Sequence, residues 1–166
     1  MREFACCISG SRPQSLPWGF DEADERCKSF KNILKNELIK IIDKGYTHFI
    51  GGMALGVDQY AFEILLEYRH FNPNKQIFLE AAIPCETQAA SWTESQRDRY
   101  FDIVKNVDKE TLVSKRYYSY CMQKRNEYMV DNSSLLLAVI SNNSRGTTGT
   151  VKYANRKGLE IVKIII

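Results

Sequence analysis

The sequence predicts an α/β fold, a doubly wound and mostly parallel sheet with helices on both faces. Two observations predict it. Short apolar runs alternate with stretches whose apolar residues recur at helical spacing, the pattern of right-handed βαβ units. Glycine-containing turns at Gly10-Ser11, Gly51-Gly52 and Gly146-Thr147 fall where a strand hands over to a helix. In a parallel sheet these turns share the carboxyl edge, where ligands bind at a switch in strand order.

Taken in order, Phe4 to Ile8 reads as a first strand, followed by a polar loop to Phe20. Asp21 is placed to cap a helix whose apolar face is Phe30, Ile33, Leu34, Leu38, Ile41 and Ile42, and Gly45 stands where a helix-ending glycine belongs. Tyr46 to Ile50 is a second strand. Val57, Ala61, Ile64, Leu65 and Tyr68 form the buried stripe of the next helix, which ends before Pro73. Ile77 to Ile83 is a third strand, Trp92 to Val107 a helix, and Leu112-Val113 a short fourth strand. A helix over Tyr118 to Asp131 has Met122, Met129 and Val130 inward, around a polar Arg125-Asn126 pair. Leu135 to Ile140 is unbroken apolar sequence, as a strand buried on both faces requires. A glycine-containing turn over 141–149, a helix over Thr150 to Lys157 and a strand from Ile161 to Ile166 close the chain.

The organising stretch is Phe49 to Ala61, where an apolar run stops at Gly51-Gly52 and a helix begins after Gly56. Glycines there admit a ligand close to the backbone, and the free N–H groups of the new helix suit a phosphate or another anion. No G-x-G-x-x-G opens the first helix, which argues against ordinary dinucleotide-linked hydride transfer.

Length and composition fit a single domain over 1–166. The formal charge of +3 is too small and too evenly spread to announce a nucleic-acid surface. No apolar run is long enough for a membrane span or a signal peptide, so the expected location is the cytoplasm. Cys6, Cys7, Cys27, Cys85 and Cys121 form no C-x-x-C pair and read as reduced, mostly buried thiols. No cluster has metal-ligand spacing, and no resident cofactor is expected beyond a nucleotide-derived ligand.

Three segments carry a resemblance: Ile8 to Arg12, Gly51 to Asp58, and Gly146 to Ala154. In order and spacing they resemble the signature turns of the SLOG superfamily, which joins the DNA-processing protein DprA (Smf) and the Lonely Guy (LOG) proteins. Ala82-Ile83-Pro84 with Glu86 and Gln88, then Trp92, Tyr117-Tyr118 and Arg125 to Asp131, are similar to its YpsA-like branch. The resemblance implies a Rossmann-like fold that binds a nucleotide or a derivative of one. Lonely Guy proteins cleave the base-to-ribose bond with an arginine matching Arg125 and a glutamate after the last glycine turn. Here that place holds Val151-Lys152-Tyr153, without a carboxylate. DprA-like proteins bind single-stranded DNA, and Arg12, Trp18, Arg145 and Lys152 are the residues here that suit such a surface.

These observations together predict a nucleotide-binding sensor or regulatory module. Gly10, Ser11, Arg12, Gly51, Gly52, Gly56, Gly146, Thr147 and Thr150 are the phosphate-side residues, with Asp58 on the sugar or base. The alternative is a glycosidic-bond hydrolase or transferase using Arg125 and a displaced carboxylate from Glu80, Glu86 or Asp58. Single-stranded DNA binding ranks third, and a homo-oligomer is left open. Asp58 also suits the positive end of its helix dipole. Arg125 beside a buried face needs a partner, either a bound anion or Asp131 or Glu127. Trp92 reads as core, His48 as an ordinary strand residue, and His70 as a charge at a helix C-terminus.

Overall fold

A computed structural model of the chain describes residues 2–141 and 145–166. Strands β1 (Ala5–Ser9), β2 (His48–Gly51), β3 (Phe78–Ile83), β4 (Lys109–Leu112), β5 (Leu135–Ile140) and β6 (Glu160–Ile165) form one sheet in the order β4-β3-β2-β1-β5-β6. All pairings are parallel. Helices α1 (Glu25–Asp43), α2 (Val57–Phe71), α3 (Glu94–Val104), α4 (Cys121–Asp131) and α5 (Arg145–Arg156) make the crossovers. The fold is Rossmann-like and doubly wound. After β4 the chain returns to the centre and lays β5 beside β1, so the switch point lies between those two strands.

Strand alternation sends side chains into two cores, one on each face. Cys6 and Ile8 of β1 with Leu135, Leu137 and Val139 of β5 pack against Leu34 and Leu38 of α1, Phe62 and Leu65 of α2, and Ile103 of α3. Cys7, Leu136 and Ala138 pack on the other face with Met129 and Val130 of α4 and Val151 and Ala154 of α5. The cysteines are free and buried, and burial pushes the Cys7 thiol up to about 12. Among the described residues, no helix is long and apolar enough to cross a membrane, and no group of side chains could hold a metal ion.

Several boundaries differ from the sequence expectation for local reasons. Asp21 closes a turn onto the Ala23 amide, while Asp24 accepts from the Arg26 amide and caps α1. Thr93 and Gln96 form a reciprocal capping box, which starts α3 at Glu94 rather than Trp92. The fourth strand is Lys109–Leu112, beginning three residues before and ending one residue before the expected Leu112-Val113. In the turn expected over 141–149, positions 142–144 lie outside the described residues, and Arg145 to Gly149 are already helical. Trp18 is buried against Phe30, 5.4 Å between ring centroids, so it offers no exposed stacking face. His48 hydrogen-bonds Glu80 at 2.9 Å instead of standing alone on its strand.

Candidate functional site

The carboxyl edge at the switch point holds a cavity of about 430 Å³. Its wall is built from the end of β1 and the following loop (Ser9 to Arg12, Gln14, Ser15), from Ala54 and Asp58, from Arg125, Asn126 and Met129 of α4, and from Arg145, Gly146 and Thr147 of α5. Ser11 and Ser141, just past β5, are joined hydroxyl to hydroxyl at 2.6 Å, which ties the two loops across the switch point.

The turn between β2 and α2 brings Asp58 to this wall. Met53 takes a left-handed backbone (φ 58°), and its carbonyl accepts from the Gln59 side chain. Gly56 has φ 95°, and a Cβ there would lie 2.6 Å from the Ser11 carbonyl, whose oxygen accepts from the Val57 amide. The two signature turns are therefore stitched together by backbone contact, and only glycine fits that seam. Asp58, in the first turn of α2, accepts from the Ala54 amide at 3.3 Å and is 5% exposed.

Arg125 reaches the cavity from the opposite wall and is 4% exposed. Its guanidinium donates to the Gly52 carbonyl at 2.5 Å, to Gln88 Oε1 at 3.5 Å and to Asn126 Oδ1 at 2.9 Å. No carboxylate among the described residues lies within ion-pair distance of it. The two acidic candidates on its own helix are engaged elsewhere: Asp131 pairs with Lys157 and accepts from Tyr153, and Glu127 accepts from Tyr120. Burial lowers the Arg125 pKa from the ordinary guanidinium value, opposed by Asp58. Burial likewise pushes the Asp58 carboxyl up to about 6, against the pull of Arg125, the Ala54 amide and Arg12. The wall thus carries Arg12, Arg125 and Arg145 against one carboxylate. That excess positive charge, desolvated on the Arg125 side, suits an anion.

The residues singled out from the sequence divide into two sets. Gly10, Ser11, Arg12, Asp58, Arg125, Gly146 and Thr147 meet around this cavity. Gly51, Gly52, Gly56, Thr150, Glu80 and Glu86 do not line it. A Cβ on Gly51 would meet Phe62 at 2.5 Å and one on Gly52 would meet Arg125 at 2.1 Å, so close approach there serves packing. Thr150 turns its hydroxyl back to the Gly146 carbonyl inside α5. Glu86 is exposed beyond the end of β3. Glu80 sits three residues before the carboxyl end of β3, roughly 10 Å down the strand, and is buried. His48, Tyr128 and Thr111 all hydrogen-bond its carboxylate. Burial raises its pKa, but those bonds and Lys109 outweigh it and hold the group at about 2. Gln14, Ser15 and Asn126 join the cavity without a signal beyond loop composition or an arginine neighbour.

The buried Asp58 gives a pH signature. Its folded pKa lies above the ordinary 3.8, so it favours the folded state fully below pH 3.8, and that favour is lost as pH rises through about 6. Asp58→Asn is therefore expected to match the ligand-free parent near pH 3.5 and to exceed it by about 3 kcal/mol above pH 7. Urea unfolding of both proteins across this range reads the difference. A pH-independent difference would show that Asp58 is not held in a desolvated site.

The family model described as the YspA SLOG family matches residues 6–161. A UPF0398 protein of Halalkalibacterium halodurans is 29% identical over 119 residues, covering 70% of this chain and 62% of that relative's length. Among solved structures, DNA processing protein A of Streptococcus pneumoniae superposes with a TM-score of 0.59 at 11% identity, over 96% of this chain and 49% of that one. The Helicobacter pylori protein of that name, described for its single-stranded DNA binding mode, gives 0.62 at 14% identity over 96% and 64%. These likenesses show a shared fold. The two glycine turns at the sheet edge, the arginine on α4 and the family match over nearly the whole length agree, and the chain belongs to the YspA SLOG family.

Proposed function

We propose that the protein binds a small nucleotide-derived ligand at the switch point and acts as a sensor or regulatory module. The observation that carries this reading is the buried Arg125, whose charge has no carboxylate partner within ion-pair distance among the described residues and which lines a cavity of about 430 Å³. A phosphate there would meet Arg125, Arg12 and the first turn of α5, where helix N–H groups and Arg145 add to the field. Asp58 across the cavity accepts from sugar hydroxyls.

A second reading is supported by Asp58 itself, the cavity's one carboxylate, with its pKa pushed up to about 6. Such a group is poised to take a proton from water attacking the anomeric carbon, while the base leaves with the glycosidic electron pair. Single-stranded DNA binding, the described property of a structural neighbour, loses Trp18 to the core and ranks below both.

Calorimetry with nucleoside mono- and diphosphates tests the proposal. Binding is expected, and Arg125→Ala is expected to weaken it by roughly 1.5–3 kcal/mol, the worth of a charge-assisted hydrogen bond. Chromatography of the same mixtures is expected to show no free base. Base release that depends on Arg125 and Asp58 would replace the sensor reading with the hydrolase, and the absence of any binding would overturn both.

A further inference from the structure

Beside the first cavity lies a second, of about 320 Å³, that shares Arg12, Gln14 and Ala54 with it as a common rim. Its remaining wall differs in chemistry. Phe20, Leu55, Trp92 and Met122 supply apolar and aromatic surface, and Gln88, Ser91 and Gln96 supply neutral polar groups. Where the first cavity is built for charge, this one is built for a neutral, partly apolar group.

Three details point to a planar heteroaromatic ring. Phe20 is 58% exposed and lines the cavity, so an aromatic side chain stands open on its wall. Trp92 is partly buried and fixed by an edge-to-face contact with Tyr100, 5.4 Å between centroids and 87° between planes. A ring held at its edge keeps its orientation, which lowers the entropy lost when a second ring stacks on it. Gln96 spends its carbonyl oxygen on the Thr93 amide in the α3 capping box, which leaves its NH₂ as a donor for a ring nitrogen or carbonyl.

Gln88 couples the two cavities. Its NH₂ donates to the Gly52 carbonyl at 3.3 Å and its oxygen accepts from Arg125 at 3.5 Å, so one side chain lines the second cavity and positions the arginine of the first. We infer that the second cavity is the nucleobase seat: the ligand is a nucleoside phosphate that crosses the Arg12–Gln14 rim, with its base between Phe20 and Trp92. This rests on the phosphate reading of the first cavity.

The test compares pyrophosphate, ribose 5-phosphate and nucleoside 5′-monophosphates by calorimetry on the whole protein. The nucleotides are expected to bind about 10-fold or more tighter than ribose 5-phosphate, the gain of one base stacked on aromatic rings. Phe20→Ala is expected to remove that gain and leave ribose 5-phosphate unchanged. Trp92→Ala is expected to do the same, and because Trp92 also packs on Tyr100, the exposed Phe20 provides the variant that leaves the core intact. Equal affinity for ribose 5-phosphate and nucleotides in the parent protein would overturn the base seat while sparing the phosphate site. A nucleotide preference that survives both substitutions would do so too. Failure of all three probes to bind would overturn the phosphate site and this inference with it.

Discussion

Glu80→Ala is expected to destabilise the fold by roughly 3–5 kcal/mol without touching the cavity at the switch point. The carboxylate is 1% exposed, on the strand face that otherwise packs under α4. It accepts from His48 on β2, Thr111 on β4 and Tyr128 on α4, so one group pins three elements. Removing it strands three polar partners near the core, which costs more than the bonds were worth. Glu80→Gln keeps the shape and isolates the charge. With the native pKa held at about 2 against an ordinary 4.5, the ionised group contributes stability above pH 4.5 that is lost as pH falls through 2. That contribution reaches up to about 3 kcal/mol, and the glutamine variant should lack this acid limb. Denaturant titrations at pH 7 and pH 3 measure both effects. A ligand affinity that drops while stability holds would return Glu80 to the site.

Gly52→Ala is expected to weaken nucleotide binding as much as Arg125→Ala does, by roughly 1.5–3 kcal/mol, from a position that does not line the cavity. A Cβ on Gly52 would stand 2.1 Å from Arg125 Nη1 and 2.4 Å from its Cζ. Gln88 also donates to the Gly52 carbonyl, at 3.3 Å, a hold on the backbone that does not depend on Arg125. The guanidinium, at the end of a flexible side chain, is what moves. Since both substitutions remove the same interaction, the double variant should bind no worse than either single one. Additive losses would mean that Gly52 acts independently of Arg125, and unimpaired binding in Gly52→Ala would mean that the guanidinium's place does not matter.

The alternation of strands and helices is legible in the chain alone, and with it the layered fold and the sheet edge at which the cavity opens. Hydrophobic period is a local property, readable from Leu34 to Leu38 or from Leu135 to Ile140 without knowing their neighbours. The sequence also picked out Arg12, Asp58, Arg125, Gly146 and Thr147, which the fold gathers around one cavity. Which distant groups answer one another is settled by the fold. Glu80 and its partners are 31 to 48 residues apart, and no local pattern distinguishes a carboxylate bound for a buried network from one bound for catalysis. Gly51 and Gly52 read as ligand-side glycines because a missing side chain looks the same whether a phosphate, Phe62 or a guanidinium fills the space. Trp18 and Phe20 stand two residues apart in the same loop, yet one seals the core and the other stays open beside the second cavity. Burial is set by what packs across the gap, and that is a property of the fold rather than of the residue.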